Sequence, residues 1–121
     1  MPGSGSVLVV DDDPELLGLV SLVLEGEGYR VRTAANGQEA LAATERELPD
    51  SILLDMKMPV MDGREFARRF RAAHGSRVPI VVLTAAEDAR KRAEEIGAQG
   101  WVGKPFNLDT LIAAVRRCLG S

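Results

Sequence analysis

The sequence predicts an α/β fold, a doubly wound parallel sheet with helices on both faces. Five short apolar runs alternate with five stretches of helical periodicity, joined by short connections. That alternation favours parallel strands linked by right-handed crossovers. The first, third and fourth runs are almost continuously apolar, as strands covered on both faces must be. The length of 121 residues suits one domain, and a hydrophobic fraction of 45% suits one ordinary core.

The elements follow in order. Val7–Val10 is the first strand. Pro14 opens a helix in which Leu16, Leu17, Val20 and Leu24 recur at helical spacing, and the Gly26–Gly28 stretch ends it. Tyr29–Ala34 alternates apolar with basic residues, the pattern of a strand at or near a sheet edge. Asn36 caps the second helix, with Ala40, Leu41 and Leu48 as its inner face, and Pro49 stops it. Ile52–Asp55 is the third run, and the loop after it, Met56–Gly63, carries proline and glycine. The third helix presents Phe66, Ala67, Phe70 and Ala73 on one face. Pro79–Thr84 is a β-branched run that reads as a central strand. The stretch from Ala85 to Gly100 is helical but poor in large apolar residues, with Ile96 its one big anchor. Trp101–Lys104 is a short fifth strand. Leu108, Leu111, Ile112, Val115 and Leu119 mark an amphipathic closing helix, with Arg116 and Arg117 near the C-terminus, where cations suit the dipole.

The bulk numbers exclude several roles. Net charge is −3, so the whole chain offers no electrostatic case for nucleic-acid binding. The single cysteine, Cys118, allows no internal disulfide and suits a reducing compartment. No apolar run is long enough to span a bilayer. Residues 1–5 lack the basic and apolar stretches of a secretory signal and read as a flexible lead-in. The fold is expected over residues 6–119, with 120–121 as a C-terminal end and no further domain after Leu119.

In a parallel sheet every strand ends on one side, where ligands normally bind. The first strand ends in Asp11, Asp12 and Asp13, the third in Asp55, the fourth in Thr84 and the fifth in Lys104. Asp13 precedes Pro14, and Asp–Pro is a helix cap and first-turn pair, which accounts for Asp13. Asp11 and Asp12 are left near the strand end, where they meet Asp55 as a three-carboxylate pocket. Two carboxylates about 4 Å apart repel by roughly 4 kcal/mol at a surface-like dielectric. A hard dication is the natural remedy: Mg²⁺ takes oxygen ligands and bridges to phosphate. Asp55 can then act as a nucleophile toward phosphorus, with Thr84 and Lys104 on the phosphoryl oxygens. Each of these residues alone has an ordinary structural explanation, and their coincidence at one rim carries the functional reading.

Four motifs, "VLVVDDDPE", "ILLDMKMPVMDG", "VVLTA" and "GKPF", occur in order at fitting distances. With them the chain resembles the receiver domain of bacterial response regulators, the phosphoacceptor half of two-component signalling, chemotaxis-regulator-like. The resemblance covers Ser6 to Leu119. It implies a flavodoxin-like five-stranded sheet in order 2-1-3-4-5. It implies that Asp55 is phosphorylated by a histidine kinase or phosphotransfer partner. Asp12 and Asp55 would bind Mg²⁺ directly, with the backbone carbonyl of Lys57 as a further ligand and Asp11 acting through water. Thr84 and Lys104 would hold the phosphoryl group, the Lys104–Pro105 bond would be cis, and Gly63 would permit the turn after the loop. Such a protein is cytoplasmic and touches neither membrane nor nucleic acid directly. Its downstream protein target and any phosphorylation-dependent dimer are left open.

Two departures from the family pattern stand out. Trp101 takes the place of the usual tyrosine or phenylalanine at the switch position, and Lys57 and Ala86 flank the path of the attacking water. The implied switch is local charge read out elsewhere: Thr84 moves toward the new oxygens, Trp101 turns into the vacated space, and the weakly anchored fourth helix shifts. A partner then reads the surface of the fourth helix, fifth strand and fifth helix.

Three other readings compete. A haloacid-dehalogenase-like phosphatase would use Asp11 as nucleophile with Asp13, Thr84 and Lys104, but no acidic pair follows Lys104 to complete its metal site. A flavodoxin-like nucleotide binder needs a glycine- or hydroxyl-rich loop where "DDDPE" stands. A phosphorylation-independent interaction module is disfavoured by the full acid set. His74, the only histidine, reads as a surface or capping residue.

Overall fold

A computed structural model describes residues 5–119. Of the expected lead-in, only Gly5 lies inside the described residues, and its carbonyl accepts from Arg30 N at 3.0 Å. Residues 1–4 and 120–121, including the expected C-terminal end, lie outside them. Ten elements alternate: β1 (Ser6–Val10), α1 (Pro14–Gly26), β2 (Arg30–Ala34), α2 (Gly37–Arg46), β3 (Ser51–Leu54), α3 (Gly63–His74), β4 (Ile80–Ala85), α4 (Ala86–Ile96), β5 (Gly100–Lys104) and α5 (Leu108–Cys118). All strand pairings are parallel, in the order β2-β1-β3-β4-β5.

The sheet divides the core in two, because successive side chains of a strand point to opposite faces. Leu8 and Val10, Ile52 and Leu54, and Ile80 and Val82 face α2, α3 and α4 through Ala40, Phe66, Phe70 and Ala93. Val7 and Val9, Leu53, and Val81 and Leu83 face α1 and α5 through Val20, Leu24, Leu111 and Val115. These strands therefore carry apolar side chains on both faces. β2 is an edge strand, as its alternation predicts. Arg32 there donates to the carbonyls of Ala43 and Glu47 at 3.0 and 2.5 Å, closing the C-terminal end of α2.

Three expectations are corrected. Ala73 is exposed, because the inner face of α3 continues from Phe70 to His74, whose rings lie 4.8 Å apart. Leu48 lies beyond α2, yet it still packs against the core from the loop. Leu108 begins α5 but is 38% exposed, so the inner face of that helix starts at Leu111. Ile96 is half-buried and packs against the core as expected, and the buried Ala89 and Ala93 seat α4 with it. Small residues let that helix lie close to the sheet. Gly103 shows how close: a Cβ there would come within 2.6 Å of the Ala86 Cβ.

Candidate functional site

The register aligns the strand ends. Val10 pairs with Leu54, so Asp11 and Asp55 leave the sheet side by side. Asp55 N donates to the Val10 carbonyl at 2.9 Å, and Asp11 N donates to the Ala34 carbonyl at 3.1 Å. On the other flank, Thr84 pairs with Gly103 and Ala85 with Lys104. Asp13 does what its position predicts. Its side chain caps α1, accepting from Glu15 N at 3.0 Å and Leu16 N at 3.4 Å.

The three remaining acids converge. Asp11, Asp12 and Asp55 each offer a carboxylate oxygen, and these oxygens lie within 4.8 Å of one another. Asp11 and Asp55 are buried and Asp12 is exposed, so the cluster opens to solvent on the Asp12 side. Lys104 enters from the opposite rim. Its Nζ donates to Asp11 Oδ2 at 2.7 Å and lies 3.8 Å from Asp55 Oδ1. Asp11 Oδ1 accepts from Asp13 N at 2.9 Å, so both Asp11 oxygens are engaged. Asp55 is held more loosely, with Lys57 N donating to its Oδ1 at 3.5 Å. Thr84 is buried at the end of β4, and the Lys104–Pro105 bond is cis.

Burial pushes the Asp55 carboxyl up to about 6, and the neighbouring Asp11 charge adds to the rise. The Lys104 ammonium and the Lys57 N–H act against that rise, and Asp12 adds a little to it. The carboxylate is thus ionised at neutral pH but poorly compensated. Hard oxygen donors on one side and uncompensated charge on the other fit a divalent cation.

Gly63 permits the turn between β3 and α3 through close approach of the backbone. That residue has no positive φ. It is glycine because a Cβ would collide with the Asp55 carbonyl oxygen and approach the Met56 Cα to 2.9 Å. The left-handed residue of the loop is Val60, at φ 69° and 76% exposed. Sequence reading passed over it, although a β-branched residue in "MPVMDG" is where such a backbone costs most. It also passed over Gly103, whose missing side chain lets Ala86 close over β5 between Thr84 and Lys104. Trp101 lies on the outer side of β5, 47% exposed, against an open cleft with Ala114 and Cys118.

The profile of the response regulator receiver domain matches residues 7–116. The chain belongs to the response regulator receiver family, in bacterial two-component signalling. It is 43% identical over 112 residues to the DNA-binding response regulator MtrA of Mycolicibacterium smegmatis, covering 91% of this chain and 48% of the relative. It is 39% identical over 115 residues to the transcriptional regulatory protein TrcR of Mycobacterium tuberculosis, covering 93% and 44%. The chain therefore spans about half the length of these curated relatives. Among solved structures, the Vibrio cholerae chemotaxis protein CheY4 superposes with a TM-score of 0.84 at 40% identity, covering 94% of this chain and 98% of that one. The receiver domain of the Francisella response regulator 1452 superposes with a TM-score of 0.87 at 28% identity, covering 97% and 98%. The fold expected from the four motifs is the fold of this family.

Proposed function

We propose that this receiver accepts a phosphoryl group on Asp55 from the phosphohistidine of a histidine kinase or phosphotransfer protein. The observation that carries this is the convergence of Asp11, Asp12 and Asp55 opposite Lys104 at the carboxyl ends of three strands. Asp12 and Asp55 would hold Mg²⁺ with the Lys57 carbonyl, and Asp11 would act through water. When bound, the ion supplies charge neutralisation for the carboxylates and for the incoming phosphoryl oxygens.

The chain's own groups do the rest. An Asp55 oxygen attacks phosphorus, the P–N bond to the donor imidazole breaks, and an aspartyl phosphate remains. Asp55 is the better nucleophile of the two buried acids, because both oxygens of Asp11 already accept hydrogen bonds. That difference also disfavours the phosphatase chemistry that would attack through Asp11. Lys104 is placed to shift from Asp11 toward the phosphoryl oxygens, and the Thr84 hydroxyl to donate to another. Thr84 moving toward the site frees space for Trp101, whose outward position belongs to the unphosphorylated state. α4, with β5 and α5, then presents the altered surface to a downstream protein.

In this reading the chain is a cytoplasmic signalling phosphoacceptor, not an enzyme acting on an outside substrate. It spans residues 6–119 as one unit. Its relatives in the mycobacteria are named as DNA-binding or transcriptional regulators, and this chain matches about half the length of each. We assign this chain the switch and no direct nucleic-acid contact. The test is incubation with acetyl phosphate, with and without Mg²⁺, followed by borohydride trapping and mass spectrometry. A single Mg²⁺-dependent adduct on Asp55 is expected. An adduct on Asp11, or none, overturns the proposal.

A further inference from the structure

Three of the chain's four methionines, Met56, Met58 and Met61, stand in the loop that leaves Asp55. The phosphoacceptor chemistry uses none of their side chains. Met56 is buried, whereas Met58 and Met61 are half-buried and pack against the core from its rim. The loop is drawn tight. Gly63 N donates to the Met56 carbonyl at 3.1 Å, and Met61 N donates to the Pro59 carbonyl at 2.7 Å. The second bond closes a three-residue turn on Val60, whose φ of 69° is costly for a β-branched residue. Such a backbone persists only where its surroundings hold it.

Met61 supplies that hold. Gly37, the first residue of α2, donates its N–H to the Met61 carbonyl at 2.9 Å. An N–H in the first turn of a helix has no partner within the helix, so the loop is what satisfies it. A Cβ at Gly37 would come within 2.8 Å of both the Met61 Cγ and that carbonyl oxygen. The Met61 stem and carbonyl therefore rest on the bare backbone of α2. The same corner borders the acids, since Ala34, at the end of β2, accepts from Asp11 N at 3.1 Å. The adjoining Val60 is 76% exposed, so this seat lies at the surface.

We propose that Met61 is a peroxide-sensitive latch, whose oxidation releases the β3–α3 loop from α2. The sulfur lone pair takes one oxygen from hydrogen peroxide, the O–O bond breaks, and water leaves. The thioether is thereby oxidised to a sulfoxide and the peroxide reduced. A sulfoxide is polar, so the side chain leaves its apolar seat for water. The strained turn at Val60 favours that release, because the freed loop can relax. Met56 is shielded by burial, and Met58 lines the recess beside Arg64 and Arg92 instead. One consequence rests on the phosphoacceptor reading: the Lys57 carbonyl loses its fixed position, and Mg²⁺ affinity falls.

The test treats the metal-free chain and its Met58→Leu and Met61→Leu variants with hydrogen peroxide, with the sites mapped by mass spectrometry. Leucine keeps the apolar bulk and takes no oxygen. Sulfoxide at Met61 should speed hydrogen exchange of the Gly37 amide about tenfold or more in the parent and in Met58→Leu. Met61→Leu should keep its protection. Methionine sulfoxide reductases should restore slow exchange, which separates the latch from damage at Trp101 or Cys118. Mg²⁺ affinity should fall about tenfold or more in the same two treated samples. No sulfoxide at Met61 while the chain stays folded, a Met61 sulfoxide with Gly37 still protected, or equal loss of protection in Met61→Leu each overturns the proposal. An untreated chain that binds no Mg²⁺ overturns the phosphoacceptor reading instead, and the Gly37 amide still decides the latch.

Discussion

Replacing Asp55 by asparagine should stabilise the metal-free protein at neutral pH while abolishing phosphorylation. The carboxyl is 5% exposed and rises from an ordinary 3.8 to about 6, chiefly through burial and then through Asp11. A raised folded-state value means that the folded chain holds a proton the unfolded chain has released. Folding therefore loses stability as pH rises through the window from 3.8 to about 6, and the loss is constant above it. At about 1.4 kcal/mol per pH unit, the penalty is about 3 kcal/mol at pH 7.5 and about 1 kcal/mol at pH 4.5. Asparagine keeps the shape and removes the charge, so its advantage should follow those two figures. Urea unfolding followed by circular dichroism in EDTA measures it. The midpoint should rise by roughly 1–2 M at pH 7.5 and much less at pH 4.5. A variant no more stable than the parent at pH 7.5, or equally favoured at both pH values, would refute the argument that burial and like charge strain this site.

Other outcomes follow from the same geometry. Mg²⁺ at a hundred times its Kd should stabilise the parent by about 2.7 kcal/mol, and Asp12→Asn should remove most of that gain in the same urea assay. Gly63→Ala places a Cβ against the Asp55 carbonyl and should cost about 2–3 kcal/mol, with distorted Mg²⁺ binding read from Trp101 fluorescence. Val60→Asn relieves a β-branched residue at φ 69° and should add about 1 kcal/mol to stability without altering phosphorylation by acetyl phosphate. Asp13→Ala loses the α1 cap and should cost about 1 kcal/mol, again by denaturation, while leaving Mg²⁺ affinity intact.

The sequence by itself determined the alternation of strand and helix, the parallel sheet and the rim to which Asp11, Asp12, Asp55, Thr84 and Lys104 belong. Those features are written in local periodicity and in the fact that parallel strands all end on one side. The family motifs added the strand order. Tertiary structure decided what depends on close approach. α4 is seated by Ala89 and Ala93 as well as by Ile96, because its distance from the sheet is set by what lies opposite, including the bare Cα of Gly103. Gly63 is required by the neighbouring Asp55 carbonyl, which no local pattern announces. The left-handed backbone at Val60 and the hydrogen bond of Lys104 to Asp11, with Asp55 farther off at 3.8 Å, likewise emerge only from packing.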